Sequence, residues 1–127
     1  MKKLMCVAVA ACALGGSLAV QAHHSANAQY DLTKVVEMQG ELLEFANINP
    51  HAYWYFNMPG PDGTVVKWSI ESPGPAAWRR YGVRIKDDIK PGQVYKFKAS
   101  PALKPNEPNA LMRSVEINGK WLGLIAN

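Results

Sequence analysis

The fold is decided by residues 65–82, VVKWSIESPGPAAWRRYG, where a strand pattern gives way to a helix pattern. In residues 65–71 every second side chain is apolar, and three are predicted to face inward: Val66, Trp68 and Ile70. Pro75 suits the first turn of a helix, and Gly82 suits a helix C-terminal cap. The segment therefore predicts a third strand followed by one short helix.

Four further strand patterns flank this segment, at residues 35–45, 51–58, 94–99 and 110–117. In the first, the alternation changes phase near Glu44, which predicts a bend or bulge at Gly40 or just beyond it. Residues 101–108 hold three prolines and are predicted to be an irregular loop. Asn118-Gly119 is a strong hairpin signal before the chain returns at residues 120–122.

The order of these elements is three strands, a short helix, and two strands with a returning tail. We therefore predict a mainly β protein, a small five-stranded OB-like barrel with one short helix between strands 3 and 4. A bent first strand favours closure, because such a strand can pair on both sides of a small barrel. The alternative is an open sandwich of the same strands. A length of 127 residues, 48% of them hydrophobic, is sufficient for one core.

The N-terminal 22 residues are predicted to be a secretory signal peptide. Lys2 and Lys3 precede an apolar run over residues 4–14, and Val20-Gln21-Ala22 is a suitable cleavage site. The run is shorter than the roughly 20 residues that span a membrane. We expect a signal at 1–22, an N-terminal segment at 23–34, a barrel domain at 35–127, and a mature protein that is periplasmic or secreted. Val9-Ala10-Ala11-Cys12 resembles a lipobox, so a lipoprotein is the alternative.

Cleavage after Ala22 removes both cysteines, Cys6 and Cys12, so neither a disulfide nor a thiolate metal ligand is expected in the mature chain. It also removes two of the basic residues behind the formal net charge of +4. A nearly neutral chain without a basic run does not favour nucleic acid as a partner. We expect no transmembrane segment after cleavage, and the partner, a small ligand or a protein, stays undefined.

The three histidines of the chain are the candidate metal ligands: His23, His24 and His51. Cleavage after Ala22 would make His23 the first residue, whose free α-amine and ring nitrogen can chelate one metal ion. His51 would add a second imidazole, with His24 as an alternative ligand. Nitrogen donors of this kind favour Cu(II) or Ni(II), and Cu(II) binds more tightly, so copper is the predicted cofactor. The three histidines can converge if residues 25–34 fold back beside the second strand. The alternative is that His23 and His24 belong to a flexible tail and that His51 covers aromatic surface.

No catalytic residues are predicted, because the sequence has no nucleophile elbow and no phosphate-binding glycine motif. A non-enzyme is therefore favoured over an oxidative copper enzyme, which would also need an open coordination position. The alternative to copper binding is a non-catalytic OB-like binding module for a peptide, glycan or partner protein. Its candidate ligand-binding residues are Tyr53, Tyr55, Glu71, Arg79 and Arg80. A surface ion pair of Glu71 with the arginines, and ordinary aromatic packing, are the structural alternatives.

Several short motifs in order resemble a family of small exported bacterial proteins of unknown function. They are His23-His24-Ser25, Tyr30-Asp31, Asn49-Pro50-His51, Trp68-Ser69-Ile70-Glu71, Arg79-Arg80, Lys90-Pro91-Gly92 and Arg113-Ser114-Val115. The resemblance extends over nearly the whole mature chain. It implies an exported OB-like β domain and makes a ligand role for the His-His and Asn-Pro-His positions more attractive. It implies no particular activity.

Overall fold

The computed structural model describes residues 26–124, which fold mainly as β-strands. The strands are β1 (Val36–Ile48), β2 (His51–Pro59), β3 (Val65–Pro73), β4 (Val94–Pro101), β5 (Asn109–Ile117) and β6 (Lys120–Gly123). Helices α1 (Pro75–Arg80) and α2 (Ile85–Asp88) connect β3 to β4. Residues 26–29 form a helical turn ahead of β1. Within residues 26–124, no helix has the length and apolar character needed to cross a membrane.

Strands β1 to β5 form a closed barrel. β1 pairs antiparallel with β2 and β4, β2 with β3, and β4 with β5. A short parallel pairing closes the circle, with Ile70 of β3 opposite Ala110 of β5. The predicted OB-like barrel is confirmed, and the open sandwich is excluded by this closure. β6 extends the sheet beyond β5 as the second arm of a hairpin.

β1 contains a bulge and pairs with a strand on each side, β4 and β2. Residues 36–41 pair with β4, and residues 41–48 pair with β2. The register with β2 shifts between Leu42 and Glu44, where the sequence alternation changes phase. Leu42 is fully buried, whereas Leu43 at the shift is 37% exposed. The predicted bulge just beyond Gly40 is confirmed.

The core consists of aromatic rings from opposite walls of the barrel. Phe56 of β2 stacks on Phe97 of β4 with ring centroids 4.7 Å apart. Trp78 of α1 packs against Trp54 of β2 at 5.4 Å, so the helix covers one end of the barrel interior. These four side chains are fully buried, and each contributes about 1.5–3 kcal/mol or more through removal of apolar surface from water. Packing of this kind holds α1 in place beside the end of β3.

The predicted helix is α1, which begins at Pro75, and Gly82 follows it with a φ of +76°. A second helix, α2, was not indicated by the sequence, because four residues are too few to establish a helical period. Its first turn is fixed locally, since the carboxylate of Asp88 accepts a hydrogen bond from the backbone N–H of Arg84.

Candidate functional site

A cleft of about 690 Å³ opens at the end of the barrel where β2 begins and β3 ends. Its walls come from the β1–β2 connection, the first turn of α1, part of β5 and the segment that precedes β1. The lining includes the polar or charged residues Asn27, His51, Glu71, Arg80 and Arg113 and the apolar residue Leu32. Small-molecule sites in proteins have volumes of roughly 300–1,000 Å³. The cleft is therefore large enough to hold a ligand.

His51 and Glu71 form a hydrogen-bonded pair beside this cleft. In the β2–β3 register Tyr53 lies opposite Glu71, and His51 precedes Tyr53 by two residues on the same face. The Glu71 side chain consequently reaches His51 diagonally across the strands, with Nδ1 of His51 2.6 Å from Oε1 of Glu71. The imidazole side chain is 39% exposed and the carboxylate side chain 12%. This bond fixes the orientation of the ring.

Tyr30 forms a hydrogen bond with the second carboxylate oxygen of Glu71. Its hydroxyl donates to Oε2 of Glu71 at 2.7 Å, and the tyrosine itself is 5% exposed. Burial, followed by the hydrogen bond to Glu71, raises the pKa of Tyr30, so the phenol stays protonated and acts as the donor. Burial, and then the nearby charge of Glu71, also raises the pKa of Tyr53. Glu71 thus accepts one hydrogen bond at each carboxylate oxygen.

The segment carrying Tyr30 is fastened to the barrel by backbone hydrogen bonds. Asp31 donates to the carbonyl of Pro101 at 2.8 Å, and Leu103 donates to the carbonyl of Gln29 at 2.9 Å. Tyr30 also forms a β-bridge with Ala102. The described part of this segment therefore pairs with the end of β4, and through Tyr30 it also reaches Glu71 of β3.

Because Nδ1 of His51 is bonded to Glu71, the other ring nitrogen, Nε2, is available to bind a ligand. With its proton on Nδ1 directed to Glu71, a neutral imidazole carries its lone pair on Nε2. Nε2 forms no hydrogen bond with any residue between 26 and 124. Chemically, such a nitrogen can coordinate a metal ion or accept a proton from a bound molecule.

Residues 26–124 do not contain a complete metal site by themselves, because no group of three or more His, Cys, Asp or Glu side chains among them could hold an ion. The other two predicted ligands, His23 and His24, lie outside the described residues. Ala26 and Asn27, which follow them closely in sequence, line the cleft together with His51.

The five predicted ligand-binding residues come from β2, β3 and α1. Tyr53 and Tyr55 lie on the outer face of β2, where Nζ of Lys67 sits 4.7 Å from the centre of the Tyr55 ring. Arg79 and Arg80 are exposed on α1, but of the two only Arg80 is among the described residues that line the cleft. The ion-pair alternative placed Glu71 with these arginines; among the described residues it bonds to His51 and Tyr30 instead.

Sequence reasoning singled out Tyr30 only as part of a motif and did not place it in the site. No local pattern could have done so, because Tyr30 and Glu71 are 41 residues apart in the chain. The pairing of His51 with Glu71 follows from the strand register, which the alternating pattern alone leaves undetermined.

The fold and the cleft define a small β-barrel protein with a histidine–carboxylate pair at a ligand-sized opening. The chain belongs to DUF6152, a family of unknown function, whose family model matches residues 6–113. This confirms the expected membership of a functionally uncharacterised family. No curated protein matches the chain.

Proposed function

We propose that this is an exported copper-binding protein, in which Nε2 of His51 and the processed N-terminus coordinate Cu(II). The ligands would be the α-amine and ring of His23 together with His51, and His24 would serve as an alternative. The proposal assumes cleavage after Ala22. The observation that carries it is the 2.6 Å bond between Nδ1 of His51 and Glu71.

A histidine that binds a metal through one ring nitrogen usually donates the other N–H to a carboxylate or a carbonyl. His51 has this arrangement with Glu71, and Tyr30 in turn holds the carboxylate. Such support keeps the ring in one orientation and increases its basicity as a ligand. Neither the hydrogen bond from His51 to Glu71 nor that from Tyr30 to Glu71 would be needed if His51 only covered aromatic surface.

The distance along the chain also supports the proposal. Ala26 and Asn27 line the same cleft as His51. His23 precedes Ala26 by three residues, and an extended chain spans at most about 3.3–3.6 Å per residue. The new N-terminus would thus lie within roughly 11 Å of Ala26, a distance compatible with coordination beside His51.

The test is a Cu(II) titration of protein exported with its own signal, with the processed mass measured first and binding followed by EPR. We expect one tightly bound Cu(II) with several nitrogen ligands. H51Q should remove one nitrogen from the spectrum. E71Q, which keeps an acceptor but loses the charge, should weaken binding by about 10–100-fold, the effect of losing support behind a ligand.

Two controls make this test specific. A chain with one additional residue ahead of His23 keeps all three imidazoles but moves the amine, and it should bind Cu(II) far more weakly. E41Q, at an exposed position in the middle of β1, should bind like the unaltered protein. Equal binding by the extended chain, or a processed end other than His23, would refute the proposed coordination.

A second candidate function is the non-catalytic binding module, and the cleft favours it. OB-folds commonly bind ligands on the face of strands 2 and 3 and at the loops beside it. Here the cleft is lined by the β1–β2 connection, by His51 of β2 and by Glu71 of β3. The fold gives the position of such a site, and the chemistry of its lining defines the class of ligand.

A further inference from the structure

We propose that the cleft binds a small organic carboxylate, with the guanidinium of Arg80 taking the carboxylate and the apolar wall taking the hydrocarbon part. The inference rests on the second candidate function and gives it a ligand class. It is independent of copper, because none of the groups that it uses is a proposed metal ligand.

The lining of the cleft is mostly apolar. Aliphatic groups of several parts of the chain contribute to it: Leu32 before β1, Pro50 between β1 and β2, Ala76 and Ala77 in α1, and Leu111 in β5. Leu111 is 8% exposed, so its side chain forms part of the floor rather than the rim. A surface of this kind gains free energy when it covers a hydrocarbon group.

The charged side chains among the described lining residues are one acid and two arginines, beside the imidazole of His51. Among the described lining residues Glu71 is the only acid, and both of its oxygens already accept hydrogen bonds from Tyr30 and His51. Two arginines line the same space. Arg113 donates from Nη1 to Oγ of Ser100 at 3.1 Å, whereas Arg80 is exposed and forms no ion pair with any residue from 26 to 124.

An exposed guanidinium beside an apolar wall suits an amphipathic anion. Arginine binds carboxylates through two parallel N–H···O bonds, which adds direction to the charge attraction. A neutral ligand would gain only the apolar contact. A dianion with no hydrocarbon part would leave the wall uncovered.

The test is an NMR titration of exported, processed protein, freed of metal and then dialysed free of chelator, with sodium hexanoate and with hexanamide as the neutral match. We expect saturable shifts at the amides of Leu32, Ala76, Ala77 and Leu111 with hexanoate. R80Q should weaken hexanoate binding by at least about tenfold, the typical effect of a lost charge-assisted pair. R79Q, on the neighbouring residue that does not line the cleft, should change it by less than twofold.

Three outcomes would overturn the inference. Equal binding of hexanamide would leave the binding module standing but exclude carboxylate recognition. Absence of binding by either probe would count against the module itself. Equal losses in R79Q and R80Q would show a general charge effect rather than a site at Arg80.

Discussion

At the scale of single residues, the mouth of the cleft depends on a close contact between Gly74 and Pro50. Gly74 is the N-cap of α1, with a φ of −76° that any residue can adopt. Space, and not backbone conformation, is the restriction, because a Cβ built at this position would collide with the carbonyl oxygen of Pro50. The next residue after Pro50 is His51, so the glycine lets the first turn of α1 approach the histidine that the copper proposal uses.

We therefore expect G74A to lower the free energy of unfolding by about 1–3 kcal/mol, the usual effect of an added group with no room. Gly123 of β6 is the matched control, because a Cβ there meets no atom of residues 26–124 within 4 Å. G123A should change stability by no more than about 0.5 kcal/mol. Urea denaturation of both variants measures the difference, and equal midpoints would contradict the crowding argument.

At the scale of elements, the four-residue helix α2 is tied to the β5–β6 hairpin through one carboxylate. Asp88 accepts from the backbone N–H of Arg84 at 2.8 Å and from Nδ2 of Asn118 at 3.1 Å. Asn118 has a φ of +51° in the hairpin turn, a conformation that asparagine tolerates well. The hydrogen bond from the Arg84 N–H, and to a smaller extent that from Asn118, lowers the pKa of Asp88.

This lowered pKa gives the stability a defined pH dependence. Asp88 holds its proton less tightly when folded than when unfolded, so its contribution is present above the unfolded pKa of about 3.9 and is lost as the pH falls below it. We expect D88N to be less stable than the unaltered protein at pH 7 and the difference to shrink towards pH 2–3. Urea unfolding at several pH values tests this, and a difference that is constant with pH would contradict it.

At the scale of the whole molecule, a single aromatic core supports both the barrel and the site. Phe56 and Phe97 face each other across the interior, and Trp54 donates from Nε1 to Oγ of Ser72 at 3.0 Å. Ser72 directly follows Glu71 and is 2% exposed. Packing in the middle of the barrel therefore also fixes the end of β3 that carries the carboxylate.

Truncation of this core should affect the entire fold. Phe97 is fully buried, and F97A should cost about 3–5 kcal/mol, a large part of the 5–15 kcal/mol typical of a small domain. V94A on the same strand is the control, because Val94 is 62% exposed and should change stability by less than about 0.5 kcal/mol. Denaturation followed by both far-UV circular dichroism and tryptophan fluorescence tests this. A loss below 1 kcal/mol in F97A would contradict the central role of the ring pair.

Much of the barrel could be predicted because its signals are local. The alternation of Val66, Trp68 and Ile70, the phase change near Glu44 and the Asn118-Gly119 turn each lie within a few residues of chain, and each has its expected counterpart in the fold. Helix α2 was not predicted, because it is stabilised by the side chain of Asp88, which accepts hydrogen bonds from the Arg84 N–H and from Asn118 in the distant β5–β6 hairpin.

Local residue patterns are enough to predict the strands, their order along the chain, the bulge and the residue types available for chemistry. The packed fold alone establishes that Glu71 bonds to His51 and Tyr30, that Arg80 and not Arg79 lines the cleft, and that the segment before β1 follows the end of β4. The physical reason is that strand periodicity assigns a side chain to a face. Its neighbours on that face depend on register and closure, which arise from pairings between distant parts of the chain.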